Sequence, residues 1–239
     1  MELALGIIGS GRAAWAFAST WERIGWPIVG IATRGAEWNI APRKKIDDLA
    51  TASDILLVAV SDRAIEEVVA SIPETAAIIV HPSGALPSLR GGFSLHPLKA
   101  LPPVGEPSDL AGTLLVFEGA HRDVAEWIAL AVGARFAEIA QDAKTRYHAA
   151  AVFGSNYVAA LLDIAEELIG IEGVREDLAA LARSAIENWL AHTDSRRFTG
   201  PAARGDAAVI QRHVDALADR PELAEIYRFL AARILATRK

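Results

Sequence analysis

The sequence begins with a glycine turn of a kind that binds phosphate groups. Gly9, Gly11 and Ala14 follow an apolar run in "LGIIGSGRAAWAFA" and match the pattern G-x-G-x-x-G/A. The first glycine permits a tight turn, the second lets the backbone approach a pyrophosphate, and the small third residue lets helix and strand pack closely. A helix starting near Arg12 would present free N–H groups to the anion. We therefore predict a dinucleotide site, with contacts from Gly9, Ser10, Gly11, Arg12 and Ala13.

The end of the second apolar run bears on which dinucleotide binds. It reads "ATRG", so Thr33 and Arg34 stand where NAD enzymes usually place an acid that bonds the ribose 2′-hydroxyl. The nearest acid is Glu37. Because an arginine accommodates a 2′-phosphate, the sequence favours NADP over NAD. A solvated loop arginine is the alternative interpretation of Arg34.

Apolar runs of strand length alternate with helical stretches through the first half of the chain. The strand candidates are "LALGII", "PIVGIAT", "SDILLVAV", "AAIIVHP", "FSLHP" and "TLLVFE", and "ARFAEIA" follows one further helix. This alternation is typical of a parallel sheet covered on both faces.

The pattern changes from about Gln141, after which no strand signal returns. Small and apolar residues at steps of three and four, from Ala143 to Leu168, predict a single long helix with a closely packing seam. The predicted fold class is therefore α/β. A Rossmann-type, doubly wound and mostly parallel sheet occupies residues 1–139, and an all-α domain occupies residues 140–239.

Composition excludes several classes of protein. The 239 residues include no cysteine, which rules out disulfides and thiolate metal sites, and we predict no metal. The net charge is −6 and the basic residues are scattered, which argues against nucleic acid as a partner. No apolar run reaches the ~18 residues of a membrane span, and no secretory signal precedes the first strand. We expect a cytoplasmic protein.

Six segments in chain order carry a resemblance to a known family. They are "GIIGSGRAA", "DILLVAVSDRAI", "VHPSGAL", "SLHPL", "YHAAAVFGSNYVAALL" and "GPAARGD". Together they resemble the Rossmann-like proteins that carry a domain of unknown function, DUF2520, a branch of the 6-phosphogluconate dehydrogenase-like superfamily. Its relatives include pyrroline-5-carboxylate reductase, 3-hydroxyisobutyrate dehydrogenase and ketopantoate reductase. The resemblance spans nearly the whole chain.

The resemblance implies that polar residues after three neighbouring strands line the ligand site. Ser61 and Asp62 follow the third strand, and His81 and Ser83 follow the fourth. The carboxyl ends of parallel strands are where ligands bind in such sheets, so these four residues are cofactor candidates. His96 ends the fifth strand and by resemblance borders the nicotinamide, where it can donate a hydrogen bond or proton. A histidine that only shapes the turn is the alternative.

The helix that begins near Lys144 carries the other catalytic candidates. His148 lies ~40° round the helix and ~6 Å along its axis from Lys144, so the two can serve one reacting atom. Asn156 lies ~12 Å beyond His148 and must touch another part of the ligand.

In the hydroxyacid dehydrogenase relatives, a helical lysine and an asparagine four residues later transfer the proton and position the substrate. The resemblance carries these roles onto Lys144 and His148, unless the register slides and His148 takes the lysine's place. The alternatives are a solvated surface lysine for Lys144 and a buried interhelical contact for Asn156.

The loop "GPAARGD" contributes one further candidate. Arg204 can clamp a substrate carboxylate through a bidentate pair, and Asp206 is placed to cap the next helix.

The predicted function is an NADPH-dependent reductase of a small carbonyl or imine compound, with His148 or Lys144 as proton donor. A 2-oxo acid such as ketopantoate is the first candidate substrate and a cyclic imine the second, both from the resemblance. The resemblance, with the small-residue seam, also implies a homodimer formed through the helical domain. The alternatives are a redox sensor that binds NADP without turnover, and a Rossmann fold that binds S-adenosylmethionine or a deazaflavin.

Overall fold

A computed structural model describes residues 2–35 and 38–238 of the chain. Its strands are β1 (Leu5–Ile8), β2 (Ile28–Ala32), β3 (Ile55–Val58), β4 (Ile78–His81), β5 (Phe93–Pro97), β6 (Leu114–Gly119) and β7 (Arg135–Glu138). Its helices are α1 (Arg12–Arg23), α2 (Ile46–Ala52), α3 (Asp62–Ser71), α4 (Arg122–Ala131), α5 (Lys144–Phe153), α6 (Asn156–Ile169), α7 (Arg175–Ala191), α8 (Gly200–Arg204), α9 (Ala207–Ala216) and α10 (Pro221–Leu235).

The strands form one sheet in the order β2-β1-β3-β4-β5-β6-β7. Neighbouring strands are parallel except β5 and β6, which pair antiparallel with Phe93 opposite Gly119 and Pro97 opposite Leu115. Each apolar run quoted above falls on one of these strands, which confirms the doubly wound, mostly parallel sheet. The connection between β5 and β6 has no regular structure, in keeping with its three prolines, Pro102, Pro103 and Pro107.

Both faces of the sheet are buried, which explains why its strands read as uninterrupted apolar runs. Along β3, Ile55 and Leu57 belong to one hydrophobic cluster, whereas Leu56 and Val58 belong to a second. Successive side chains of a strand point to opposite faces, so both sets are shielded from water by helices. Each fully buried aliphatic side chain contributes ~1.5–3 kcal/mol.

The chain divides into two compact units, Met1–Tyr157 and Val158–Lys239. The last described strand ends at Glu138, and the described structure after it is helical. By its contacts, however, α5 belongs with the sheet in the first unit. The second unit contains most of α6 and the helices α7 to α10.

The prediction of a single helix from Ala143 to Leu168 is wrong. Two helices, α5 and α6, occupy this stretch and are separated at Gly154 and Ser155. Glycine is a poor helix former, and the Ser155 hydroxyl donates to the carbonyl of Ala151 (2.7 Å), a contact that often bends helices.

Candidate functional site

The glycine turn between β1 and α1 has the geometry that a pyrophosphate requires. Gly9 has φ = 111°, and a Cβ there would lie 2.3 Å from the carbonyl oxygen of Ala59, so only glycine fits. Gly11 is the N-cap of α1, and a Cβ there would meet nothing within 4 Å. The helix has no side-chain cap and no acidic residue in its first turn. Its amino end therefore presents free N–H groups to open space, which suits an anion.

The remaining residues of the predicted turn lie around this opening. Ser10 is half-buried, and its hydroxyl accepts a hydrogen bond from Thr33 Oγ1 (2.7 Å). Ala13 is half-buried, whereas Arg12 is exposed and its guanidinium lies 3.5 Å from the carbonyl oxygen of Leu101. The structure thus brings Gly9, Gly11, Ser10 and Thr33 together.

The loop after β2 is held by an arginine that sequence reasoning did not single out. Arg43 Nη2 donates to the carbonyl oxygens of Thr33 (2.7 Å) and Gly35 (3.2 Å). Thr33 Oγ1 also accepts from the amide of Gly35 (2.9 Å). Arg34 is exposed beside this loop, and Glu37 lies outside the described residues.

Asp62 and Ser83 meet at the carboxyl ends of β3 and β4. The Ser83 hydroxyl donates to Asp62 Oδ2 (3.0 Å) and accepts from the amides of Ala85 (3.2 Å) and Leu86 (3.1 Å). Ser83 therefore shapes the turn after β4 and ties it to α3. Ser61, the N-cap of α3, is exposed at the same edge.

His81 is buried, and both of its ring nitrogens are occupied. Nδ1 accepts from the amide of Ser83 (3.3 Å), so Nε2 carries the proton and donates to the carbonyl of Pro87 (2.9 Å). Burial lowers the pKa of His81 and keeps the ring neutral. Its side chain is a structural support of the turn, with no nitrogen left for a cofactor.

Lys144 is one of the most buried polar residues of the first unit, with 2% of its surface exposed. Its Nζ donates to Ser94 Oγ (2.5 Å) and the carbonyl of Ser83 (3.2 Å), and lies 3.9 Å from Glu118 Oε2. Burial lowers the pKa of Lys144, and Glu118 and Asp62 oppose that shift. Lys144 is therefore no solvated surface lysine, and its ammonium is committed to these partners.

Glu118 is the counter-ion that makes this burial tolerable. Its carboxylate accepts from the amide (2.8 Å) and hydroxyl (3.0 Å) of Ser88 and from the hydroxyl of Ser94 (3.3 Å). We call Lys144, Glu118, Ser83, Ser88 and Ser94 the buried network. In the sequence, Glu118 ends the apolar run "TLLVFE". A carboxylate directly after a buried strand segment indicates that a buried cation or hydrogen-bond donor lies beside it.

The side chains of His96 and His148 contact each other close to Lys144 of this network. Their rings lie 5.6 Å apart and nearly perpendicular, at 88°. A Cβ on Gly84 would lie 2.5 Å from His148 Nδ1 and 3.1 Å from His96 Nε2, so both nitrogens face this one small residue. His148 Nδ1 is buried and has no hydrogen-bond partner within the described part of the chain. We call His96, His148 and Gly84 the histidine site.

Tyr147 supports the histidine site from the neighbouring position on α5. Its hydroxyl lies 2.6 Å from His96 Nδ1. Burial, with the nearby charges of His148 and Lys144, lowers the pKa of His96 to about 4, against an opposing effect of Asp62. Burial raises the pKa of Tyr147 to about 12. At neutral pH the histidine is therefore uncharged and the tyrosine protonated.

Two further predicted site residues are exposed. Asn156 is exposed at the start of α6. Arg204 is exposed in the second unit, where it lines a surface pocket of about 510 Å³ with Ser195, Arg196, Phe198, Thr199, Gly200 and Ala203. Asp206 Oδ1 accepts from the amide of Val209 (3.1 Å), which confirms the predicted cap of α9.

Sequence reasoning missed Tyr147, Gly84 and Glu118. Tyr147 was assigned to the packing seam of a helix, and Gly84 carries no side chain that could signal a role. Within residues 2–35 and 38–238, no cluster of acidic and histidine side chains could hold a metal ion. In the same residues, no helix combines the length and apolar character that crossing a bilayer requires.

Comparisons with known proteins agree on the fold. The profile of a family described as "Domain of unknown function (DUF2520)" matches residues 114–234, just over half of the chain. No curated protein matches the sequence. Among solved structures, BF3122 from Bacteroides fragilis, a proposed NADP oxidoreductase, is 21% identical, with 98% of each chain covered and a TM-score of 0.82.

Two further solved structures have names that describe an activity. Pyrroline carboxylate reductase from Plasmodium falciparum, with NADP bound, is 11% identical over 100% of both chains, with a TM-score of 0.65. Reductive aminase from Aspergillus terreus, in complex with NADPH and ethyl levulinate, is 21% identical over 90% of this chain and 78% of its own, with a TM-score of 0.60. At these identities the likeness shows the fold.

Proposed function

The chain belongs to the DUF2520 family, as its motifs predict, and we propose that it is an NADPH-dependent oxidoreductase that reduces a small imine or carbonyl compound. The observation that carries this proposal is the histidine site. The uncharged ring of His96 and the unpartnered Nδ1 of His148 both lie next to Gly84, at the carboxyl end of β5. The open glycine turn follows β1 of the same sheet. Ligands of open α/β sheets bind along this edge.

The cofactor site fits a phosphorylated dinucleotide. When bound, the reduced nicotinamide supplies the hydride. The backbone at Gly11 would hold the pyrophosphate, and Arg34 would face the 2′-phosphate of NADP at the end of β2. Arg43 fixes that loop through its hydrogen bonds to Thr33 and Gly35. It would therefore set the position of Arg34 relative to the 2′-phosphate. Solved structures of this fold hold NADP or NADPH in some cases and NAD in others, so the choice of NADP rests on Arg34.

The proton that reduction requires would come from the histidine site. The Nζ of Lys144 is bonded to Ser83 and Ser94, which favours His96 and His148 over Lys144 as the groups that touch the substrate. The N–H of the uncharged His96 can polarise a C=N or C=O bond by donating a hydrogen bond to it. Lys144 would act as a support of the turn that carries Gly84.

An imine is the better candidate for the substrate class. Pyrroline carboxylate reductase and reductive aminase share this fold, whereas nothing in the comparisons supports ketopantoate. Arg204 stays a candidate for binding a substrate carboxylate. A cytoplasmic location stays a prediction from the sequence.

We further propose that the chain forms a homodimer through its second unit. The side chains of Leu181, Trp189, Leu190 and Phe229 are 65%, 61%, 70% and 69% exposed. Apolar exposure on this scale is unusual for a monomer and marks a surface that a partner covers. Sedimentation equilibrium at micromolar concentration should give twice the chain mass, and a monomer there would contradict the proposal.

The decisive experiment separates binding from turnover. Isothermal titration should show NADPH binding to the unchanged protein and a loss of at least tenfold in affinity for Gly11→Val, whose added side chain enters the open space before α1. Its thermal midpoint should stay unchanged, because a Cβ at this position has no protein atom within 4 Å. Arg34→Ala should weaken NADPH binding and leave NADH binding as it was.

Turnover is then measured as NADPH oxidation over a panel of cyclic imines, ketones with amines, and 2-oxo acids. We expect oxidation with an imine, and a fall of roughly 10²-fold in His148→Ala, the scale of one general acid–base group. Binding without turnover on any panel member would support the redox sensor instead. Absence of NADPH binding would refute the cofactor assignment.

A further inference from the structure

We infer that Tyr147 is a positioning residue that fixes the tautomer of His96, so that Nδ1 accepts a hydrogen bond and Nε2 carries the proton toward Gly84. The inference starts from the contact between Tyr147 Oη and His96 Nδ1, at 2.6 Å. Their rings lie 5.5 Å apart and nearly perpendicular, at 83°. The two residues are 51 positions apart in sequence, so tertiary structure alone joins them.

The chemistry of the two groups sets the direction of this hydrogen bond. A phenol O–H is a stronger donor than the N–H of a neutral imidazole, and the bare imidazole nitrogen is a stronger acceptor than a phenol oxygen. Tyr147 stays protonated and His96 uncharged at neutral pH, so the O–H···N arrangement is available throughout. Nδ1 therefore accepts, which leaves the ring proton on Nε2.

His81 has the same tautomer as the one inferred for His96, but a different donor fixes it. There the donor to Nδ1 is the backbone amide of Ser83, and the Nε2 proton goes to the carbonyl of Pro87. The Nε2–H of His81 is thus already hydrogen-bonded within the protein. His96 differs because its Nε2 faces Gly84 and the unpartnered Nδ1 of His148. Its N–H is consequently left for a ligand.

A consequence for turnover rests on the proposed function. Hydride addition to a C=N or C=O bond leaves an anionic nitrogen or oxygen that is more basic than a phenolate. The Nε2 proton of His96 then moves to that atom and the Tyr147 hydroxyl proton moves to Nδ1, which leaves a phenolate beside a neutral ring that is protonated at Nδ1. One N–H and one O–H bond break, and two bonds form, one from hydrogen to the substrate atom and one from hydrogen to Nδ1. Return of the Nδ1 proton to oxygen and reprotonation of Nε2 from solvent reset the pair.

The tautomer is tested on the protein alone, without cofactor or substrate. Nitrogen-15 NMR of the histidine-labelled full chain at pH 7 should show His96 protonated at Nε2 and hydrogen-bonded at Nδ1, with the signals assigned by their loss in His96→Gln. A proton on Nδ1 would overturn the inference. In Tyr147→Phe the Nδ1 resonance should move to the position of a nitrogen without a hydrogen-bond donor. If that variant fails to fold, the spectrum of the unchanged chain still decides.

Tyr227→Phe is the matched control, because Tyr227 makes the same contact with His213 in the second unit. It should leave the His96 resonances where they are. In turnover assays, Tyr147→Phe should lower kcat by roughly 10²-fold with KM unchanged, and Tyr227→Phe should change neither. A Tyr147→Phe enzyme of normal kcat would refute the proton route. An unchanged protein without turnover would refute the proposed function and leave the tautomer result standing.

Discussion

Two histidine–tyrosine pairs in this chain have nearly the same geometry and different surroundings. His96 Nδ1 lies 2.6 Å from the Tyr147 hydroxyl, and His213 Nδ1 lies 2.7 Å from the Tyr227 hydroxyl. The rings are 5.5 Å apart at 83° in the first pair and 5.6 Å apart at 79° in the second. The first pair is part-buried at the end of β5, whereas the second lies on the exposed surface of α9 and α10. A shared hydrogen bond therefore does not make a site.

What distinguishes the first pair is the structure around it. Beside it lie the buried network and the unpartnered nitrogen of His148, and both members of the pair are half-buried. The second pair is exposed, and elsewhere in the same unit charged side chains also pair at the surface, as in the contact of Arg220 with Glu167 (2.8 Å). Electrostatic interactions are stronger where water is absent, so burial gives the first pair its shifted pKa values.

The largest expected effect comes from removing the charge of Glu118. In Glu118→Gln, Lys144 stays buried without its counter-ion, which should lower the free energy of unfolding by about 3 kcal/mol or more. Urea unfolding measures this. The control is Glu167→Gln in the exposed pair with Arg220, which should leave the unfolding midpoint where it was. Equal effects of the two substitutions would contradict the distinction between buried and exposed networks.

A smaller effect is expected from adding a methyl group at Gly84, which lies against the two histidine rings. In Gly84→Ala the new Cβ would lie 2.5 Å from His148 Nδ1, so a ring must move, at ~1–3 kcal/mol of stability and with loss of activity. Gly154→Ala is the control, since its Cβ would meet its nearest atoms at 3.7 Å and 3.8 Å, which is ordinary contact. Unfolding curves and NADPH oxidation are measured on both. A fully active Gly84→Ala protein would argue against the histidine site.

The smallest effect is a pH dependence of stability that belongs to His96. Its pKa falls from 6.5 in the unfolded chain to about 4 in the fold, where His148, Lys144 and Asp62 surround it. Between these values the unfolded chain binds the proton and the fold does not, so stability decreases as pH falls. The decrease from pH 7 to pH 5 should be at most about 2 kcal/mol. His96→Gln should remove this part of the slope and His213→Gln should not, as urea unfolding at both pH values would show.

Much of the architecture could be predicted because it depends on local patterns. Uninterrupted apolar runs, bounded by turns and helices, identified the strands, since a strand buried on both faces must be apolar at every position. The glycine turn was equally clear, because the backbone at Gly9 tolerates no side chain. The break between α5 and α6 was missed, although Gly154 in mid-helix signals it.

The candidate site was predicted in part. The sequence identified Lys144, His96 and His148 as residues that could do chemistry, and the resemblance suggested that Lys144 and His148 act together. The structure instead places Lys144 against Ser83, Ser94 and Glu118, and pairs His148 with His96. Helical spacing limits which side chains share a face, but it does not say which neighbour from a distant strand each one meets.

The sequence by itself determined the strands, the phosphate-binding turn and the cap at Asp206, because each depends on residues within a few positions of one another. Only the tertiary structure decided which polar groups are buried together. Glu118 and Lys144, or His96 and Tyr147, come from segments far apart in the chain, and the sheet brings them within bonding distance. Their protonation depends on how much water that packing removes, and no single segment carries that information.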